Sequence, residues 1–565
     1  MSSPSNSQCR PSPANQVFRS RLGCWTCREK KVKCDEQRPR CRRCIRLGRS
    51  CDYTQRPRKK YTRRSQGKGA EIHDDPDTGP LSLPSGSPDD GSLRAVIIHA
   101  DHQGETQHRS GMPTLLDDSS PTQTDYLRFL SASDHEAIDY FRSVLSTLVD
   151  TKLPEHSGPA MVWTLAQRNP MLLHMVCTLG AQNLSYQTTL AQDQVRFRRA
   201  QAMQHYGDAL QLLSAATHNI HAVHMSDFDC ILATLWLMIV YEQKYGDGRG
   251  VGLIAHFQGA ALLLKDHLRN ICGTLTDLDA THNLNSTLSP ISSRMVIWIS
   301  LTDGGATFNE IRSGFNHLLG EALQHGSHVN VVIMRLRLIV ALHKHSNLAY
   351  REIWGDSYPQ TQLLEDLASE HLFYLQSEAG QLRYVISQHV EGDHTDLEAQ
   401  TYSTHHIIQA IQDLERRYSG YIEAATLLDL PEEGSQRRFV MNIRTAVAWY
   451  YAVLLYFHAF CPSDNSTQRQ RALGETMKLC GKAFQDHKER AMLQMAWPLY
   501  VAALETDDII HQNWILDRYD ALQNYGENYR RAYEALRLVL SQPRRTPIDR
   551  YEFLQRGGGN ENFTI

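Results

Sequence analysis

The stretch Cys24-Trp25-Thr26-Cys27-Arg28-Glu29-Lys30-Lys31-Val32-Lys33-Cys34, continued by Cys41-Arg42-Arg43-Cys44 and closed by Cys51, decides how this chain begins. It writes one half-motif twice: CxxC, six residues, and a further cysteine, with six residues between the halves. Six cysteines within 28 residues imply disulfides or metal. The segment Met1 to Phe18 is polar and rich in Ser and Pro, with no apolar core after a basic start, so nothing suggests secretion. In a reducing compartment metal is the better reading. Six thiolates cannot close two tetrahedral sites of four ligands each unless two sulfurs are shared. The doubled half-motif offers a natural solution, in which Cys24 and Cys41 bridge two ions while Cys27 and Cys34 complete one site and Cys44 and Cys51 the other. Thiolate-only tetrahedral ligation suits zinc, and a cross-braced zinc fold would need eight ligands, whereas no histidine lies between Phe18 and Tyr53.

Working outward from the cysteines, charge is the next signal. The 565 residues carry a formal net charge of -3, yet residues 19–64 hold 18 Lys/Arg and 4 Asp/Glu, a balance of +14, which leaves -17 for the remainder. Such a concentration exceeds what solubility requires and points to nucleic acid. Each half-motif reads as a short helix held at its ends by metal, and the first carries Arg28, Lys30, Lys31 and Lys33, a basic helix small enough to enter a major groove. The run Arg56-Pro57-Arg58-Lys59-Lys60-Tyr61-Thr62-Arg63-Arg64 fits a nuclear localisation signal and could also reach the DNA backbone.

These residues carry a resemblance. Arg21 to Glu36, Arg38-Pro39-Arg40-Cys41-Arg42-Arg43-Cys44-Ile45-Arg46-Leu47-Gly48 and Cys51-Asp52-Tyr53 closely resemble the fungal zinc binuclear cluster DNA-binding domain, with every metal position kept. The resemblance implies two Zn2+ ions, Cys24 and Cys41 as their bridging ligands, and a nuclear, sequence-specific transcription regulator of RNA polymerase II genes. It further implies that Lys31 reads the guanines of a CGG-type triplet, with Lys30 beside it contributing through its backbone. Arg28, Lys33, Arg42, Arg43 and Arg46 are expected to meet phosphates, which set register rather than sequence. The family commonly governs metabolic or secondary-metabolite genes.

Composition changes at Ser65. From Glu71 to Asp125 there are 11 Asp/Glu and only Arg94 and Arg109 on the basic side, with many Pro, Gly and Ser residues, so a disordered linker is expected. No apolar heptads follow the cluster, which leaves a monomer on one triplet or a homodimer made by the C-terminal region. Leu115-Leu116-Asp117-Asp118 is a candidate for coactivator recruitment, with a solvated linker as the plainer reading.

Beyond it, residues 126–545 show helical periodicity almost throughout, from a capping box at Ser133–Glu136 and a helix opened by Asn169-Pro170 to a final long helix at about 507–541, followed by a tail at 546–565. The fold expected is therefore a small Zn2Cys6 module at 19–53, a basic then acidic linker at 54–125, and one large all-α domain. Tyr241-Glu242, His256 to Leu264, Arg294 to Ile299 with Asp303, and Trp497-Pro498-Leu499 resemble the fungal-specific transcription factor domain, a regulatory region. Apolar runs at Ile231–Val240 and Thr445–Phe460 are shorter than a bilayer requires and read as buried helices, so no membrane partner is expected.

An enzyme is not expected. Gly246-Asp247-Gly248-Arg249-Gly250-Val251-Gly252 follows a helix rather than a strand and reads as a connector. His218, His221 and His224, and the pairs His343/His345 and His405/His406, lack a neighbouring Cys or carboxylate at ligand spacing and read as surface or loop residues. No GxSxG, HExxH or P-loop occurs. Trp449, Tyr450, Tyr451, Tyr456 and Phe457 read as core, with an effector pocket as the alternative. The competing reading from another class is a zinc-dependent scaffold or adaptor with nonspecific nucleic-acid affinity.

Overall fold

The fold is taken from a computed structural model. It describes residues 24, 26, 27, 30, 34, 35, 40–47, 49 and 51, and residues 130–565 apart from 147–150, 188–189, 219–224, 275–286, 306–313, 324–329, 392–402, 433, 462–465, 543–545 and 556–562. The linker and the basic run Arg56, Arg58, Lys59, Lys60, Arg63 and Arg64 lie outside the described residues. The chain divides into two units, Met1–Pro113 and Thr114–Ile565.

In the first unit the short helix α1 (Arg42–Arg46) starts at Cys41, whose Sγ accepts the Cys44 N–H. The second unit opens with α2 (Ala132–Tyr140), and its capping box sits two residues before the expected one. Ser131 caps the Asp134 N–H, and the Asp134 carboxylate accepts the Ser131 N–H at 2.9 Å. A π-helical turn over Phe141–Leu145 follows, then α3 (Gly158–Ala166) and α4 (Pro170–Leu184). The start of α4 is the expected one: Asn169 accepts the Leu172 N–H at 3.2 Å, and Pro170 stands where no N–H is needed. A Cβ on Gly180 would lie 2.0 Å from the Ala137 carbonyl, so only glycine lets α2 and α4 approach this closely.

Next come α5 (Gln192–Thr217), α6 (Met225–Tyr245), α7 (Val251–Thr274), α8 (Pro290–Gly305), α9 (Phe315–Leu323), α10 (Val331–Ser346) and α11 (Ala349–Trp354). With α2 to α4 they enclose a first hydrophobic core around Leu172, Val176, Met238, Phe257, Met295 and Leu342. Residues 246–250 of the glycine-rich segment connect α6 to α7, as its sequence position indicates, and Val251 and Gly252 are the first residues of α7.

A second core is built by α12 (Gln360–Glu391), α13 (Thr404–Leu427), α14 (Ser435–Phe460), α15 (Ser466–His487), α16 (Glu489–Glu505), α17 (Ile509–Leu522), α18 (Glu527–Leu540) and α19 (Pro547–Gln555). Helix α10 joins the two cores, with Leu338, Ile339 and Leu342 in the first and Val332 and Leu336 in the second. Among the described residues no strand occurs, and no helix is long and apolar enough to cross a membrane.

Several expectations change in detail. The final helix is interrupted at Gly526, where a Cβ would lie 3.2 Å from the Lys244 carbonyl, so α17 and α18 are separate. Residues after 545 are not all tail: Tyr551, Leu554 and Phe563 are buried in the second core. His343 and His345 are not surface residues but lie buried on α10, with His343 Nε2 2.6 Å from Ser377 Oγ and His345 Nδ1 2.9 Å from Ser293 Oγ. His218 and His405 are exposed, whereas His221 and His224 lie outside the described residues. Tyr450, Tyr451, Tyr456 and Phe457 are buried in the second core.

Candidate metal centre and nucleic-acid interface

The repeated half-motif brings all six sulfurs together. Cys24, Cys27, Cys34, Cys41 and Cys44 are buried and Cys51 is half-buried. Two overlapping quartets result, Cys24/Cys27/Cys34/Cys41 and Cys24/Cys41/Cys44/Cys51, each with its sulfurs within 4.8 Å of one another. Cys24 Sγ lies 3.8 Å from Cys41, 3.7 Å from Cys44 and 3.9 Å from Cys34, and Cys27 Sγ lies 3.8 Å from Cys41. A zinc–sulfur bond of ~2.3 Å gives a tetrahedron edge of about 3.8 Å, so these separations and this all-thiol donor set fit zinc. Cys27 also lies 4.0 Å from Cys44, which makes Cys24, Cys27, Cys41 and Cys44 a close central set. The division that shares Cys24 and Cys41 employs all six sulfurs.

Backbone donors support the second half. Cys41 N–H points to Cys51 Sγ at 3.2 Å, and Cys44 N–H to Cys41 Sγ at 3.3 Å. Burial raises the thiols of Cys24 and Cys27, and pushes that of Cys44 up to about 12. For Cys41 and Cys51 burial also acts upward, but the backbone N–H and neighbouring sulfurs outweigh it and the net direction is down. A cage this crowded ionises fully only when a cation supplies the opposite charge, so metal uptake releases protons.

Around the cage, Arg42 N–H donates to Asp35 Oδ2 at 3.0 Å and the Arg40 guanidinium to the Arg49 carbonyl at 3.2 Å, which pins the connection between the halves. Lys30, Arg42 and Arg46 are exposed, and Arg43 is half-buried. Arg28, Lys31 and Lys33 lie outside the described residues. Ile45 and Leu47 are exposed apolar residues on and just after α1, which a reading for basic residues misses.

A thiol cage carrying a basic surface, joined to a large helical body, defines a zinc-dependent DNA-binding regulator as the class. Residues 22–60 match the fungal Zn(2)-Cys(6) binuclear cluster domain, and residues 136–539 match the fungal specific transcription factor domain. The chain belongs to the fungal Zn(2)-Cys(6) transcription regulators, which are not enzymes.

Among curated relatives it is similar to the aspercryptin biosynthesis cluster-specific transcription regulator atnN of Emericella nidulans, 55% identical over 53 residues, 9% of each chain. It is similar to the depudecin biosynthesis cluster-specific transcription activator DEP6 of Alternaria brassicicola, 48% identical over 46 residues, 8% of this chain and 7% of the other. The transcriptional regulatory protein UME6 of Saccharomyces cerevisiae is 52% identical over 42 residues, 7% of this chain and 5% of the other. The alignments thus span less than a tenth of these relatives. No solved structure matches.

Proposed function

We propose that the chain is a nuclear regulator of RNA polymerase II genes that reads a CGG-type triplet through a two-zinc cluster. Cys24 and Cys41 bridge the two ions, Cys27 and Cys34 complete one site, and Cys44 and Cys51 complete the other. The observation that carries this reading is the pair of interlocking sulfur quartets with Cys24 and Cys41 in common. The metal fixes the two half-motifs and presents the basic residues before Cys34 to the major groove. There Lys31 donates to guanine O6 and N7, and Lys30 contributes through its backbone. Arg28, Lys33, Arg42 and Arg43 neutralise phosphates, and the run from Arg56 to Arg64 serves nuclear import.

Double-stranded DNA is the primary partner. Where a second copy joins, the helical body makes the contact, because no apolar heptads follow the cluster; coactivators are met by the acidic segment. The names of relatives that serve aspercryptin and depudecin biosynthesis clusters favour a secondary-metabolite gene set as the target.

The test is selection from random duplexes with the zinc-loaded full-length chain and with Lys31→Ala, zinc being quantified in the same preparations. Two zinc ions per chain and enrichment of CGG sites are expected. Lys31→Ala should lose about 1–3 kcal/mol of discrimination while keeping its metal. One ion per chain, as the central quartet alone would hold, refutes the shared-sulfur cluster, and absence of enrichment refutes sequence-specific reading.

A further inference from the structure

Between the two cores of the helical body lies a cavity of about 430 Å³, within the range of pockets that enclose small organic ligands. Its walls are aromatic: Trp236 on α6, Trp298 on α8, Phe373 on α12 and Trp449 on α14. The rings of Trp236 and Trp298 lie 4.5 Å apart at 35°. Gly158 allows this wall its place, since a Cβ there would meet the Trp298 ring at 2.9 Å. Helical spacing puts Lys244 on the same face of α6 as Trp236 and Val240, at the cavity.

The charge around these apolar walls is not balanced. Lys152, Lys244 and Arg294 line the cavity against one carboxylate among the described residues, Asp366. That carboxylate is already taken, paired with Lys152 Nζ and accepting the Tyr358 hydroxyl at 2.6 Å. Arg294 donates to the Ser346 carbonyl at 3.0 Å and to Asn347 Oδ1 at 3.3 Å, and lies over the Tyr350 ring, but has no carboxylate partner among the described residues. Lys244 has neither an ion-pair nor a hydrogen-bond partner among them. It is half-buried, and the surrounding protein lowers its pKa, the direction expected of an amine that no anion offsets. His343, also at the wall, is held neutral by burial and by Arg294. Lys244 and Arg294 therefore line a largely apolar cavity without a carboxylate partner of their own among the described residues.

We propose that this cavity binds an amphipathic organic acid, its apolar body packed among Trp236, Trp298 and Trp449 and its carboxylate paired with Lys244 in the positive field of Arg294. A neutral ligand of the same shape leaves Lys244 unpaired. An amine brings a third positive charge. Because α6 and α8 belong to the first core and α14 to the second, an occupant touches both and stabilises the body as a whole.

The experiment uses the full-length zinc-loaded chain with 1-pyrenebutyrate and its neutral counterpart 1-pyrenebutanol, read by energy transfer from tryptophan to pyrene. Saturation at one acid per chain is expected, with the acid at least about tenfold tighter than the alcohol. Lys244→Met should weaken the acid to near the alcohol's affinity while leaving the alcohol unchanged, and Lys244→Arg should retain the preference. A thermal melt of Lys244→Met no lower than that of the parent chain establishes that it folds. Equal affinity for acid and alcohol, binding that does not saturate, or a preference that survives Lys244→Met each overturns the proposal.

Discussion

Asp134 illustrates how much one side chain settles. Its carboxylate accepts the Ser131 N–H that starts α2, the Gln201 amide at 2.6 Å and His205 Nε2 at 2.9 Å from α5. A carboxylate only accepts, so His205 must donate from Nε2; in the neutral ring Nδ1 is then the acceptor, and it receives a hydrogen bond from His174 Nδ1–H, 2.8 Å away on α4. Burial pushes the Asp134 pKa up, but the bonds from His205, Gln201 and Ser131 outweigh it and hold it at about 2, below the ordinary 3.8. A carboxylate depressed in the folded state stabilises above the unfolded pKa, and that stability is lost as pH falls through the folded one. Asp134→Asn should therefore cost about 1–2 kcal/mol at neutral pH. The gap to the parent chain should close between about pH 5 and pH 2, followed by denaturant unfolding of both chains. A gap of constant size across that window refutes the assignment. None of this trio was legible in the sequence, because residues 134, 174 and 205 come from three helices and share no spacing. The six cysteines were legible because the twice-written spacing of CxxC, six residues and a further cysteine stands in the chain order itself.

At the scale of elements, α16 shows a defect in one helix satisfied by another. Pro498 lies inside α16 and has no N–H, so the carbonyl of Gln494, four residues earlier, loses its helical donor. Trp449 on α14 supplies the replacement, its indole Nε1–H reaching the Gln494 carbonyl at 3.0 Å. Trp449→Phe should cost about 1–3 kcal/mol by leaving that carbonyl unpaired. In a Pro498→Ala background the backbone N–H that the substitution introduces can take the carbonyl, so the same replacement of Trp449 should cost at least about 1 kcal/mol less. Chemical unfolding of the four chains measures the cycle; strict additivity would show that Trp449 serves packing alone. Helical periodicity revealed α14 and α16, since apolar stripes persist through a proline. The pairing between them was out of reach, because a free carbonyl leaves no mark in composition. Periodicity also missed α19, whose buried Tyr551 and Leu554 stand only three residues apart in a short polar segment.

Across the whole molecule, the net charge of -3 is the sum of a module at +14 and a remainder at -17, and this was readable from residue counts alone. The cavity was legible only at one wall: Trp449 stood in an aromatic run for which an effector pocket was the alternative reading, but nothing in the sequence joined it to Trp236, Lys244 and Arg294, which only the meeting of two cores brings into one chamber. Charge separation has its own consequence for DNA binding. Residues 71–125 carry 11 acidic and two basic side chains and are tethered to the basic module, so a polyanion at high local concentration is expected to compete with phosphate for that module. Replacing residues 71–125 by a neutral Gly/Ser segment of equal length keeps the tether and removes the competitor. Nonspecific duplex binding at ~50 mM salt should then tighten by about threefold or more, and the gain should shrink as salt rises and screens both interactions. Selectivity for CGG over scrambled duplex should hold or fall, because the competitor acts on phosphate contacts rather than on base readout. Affinity that does not change at low salt would mean that the acidic segment never reaches the basic surface.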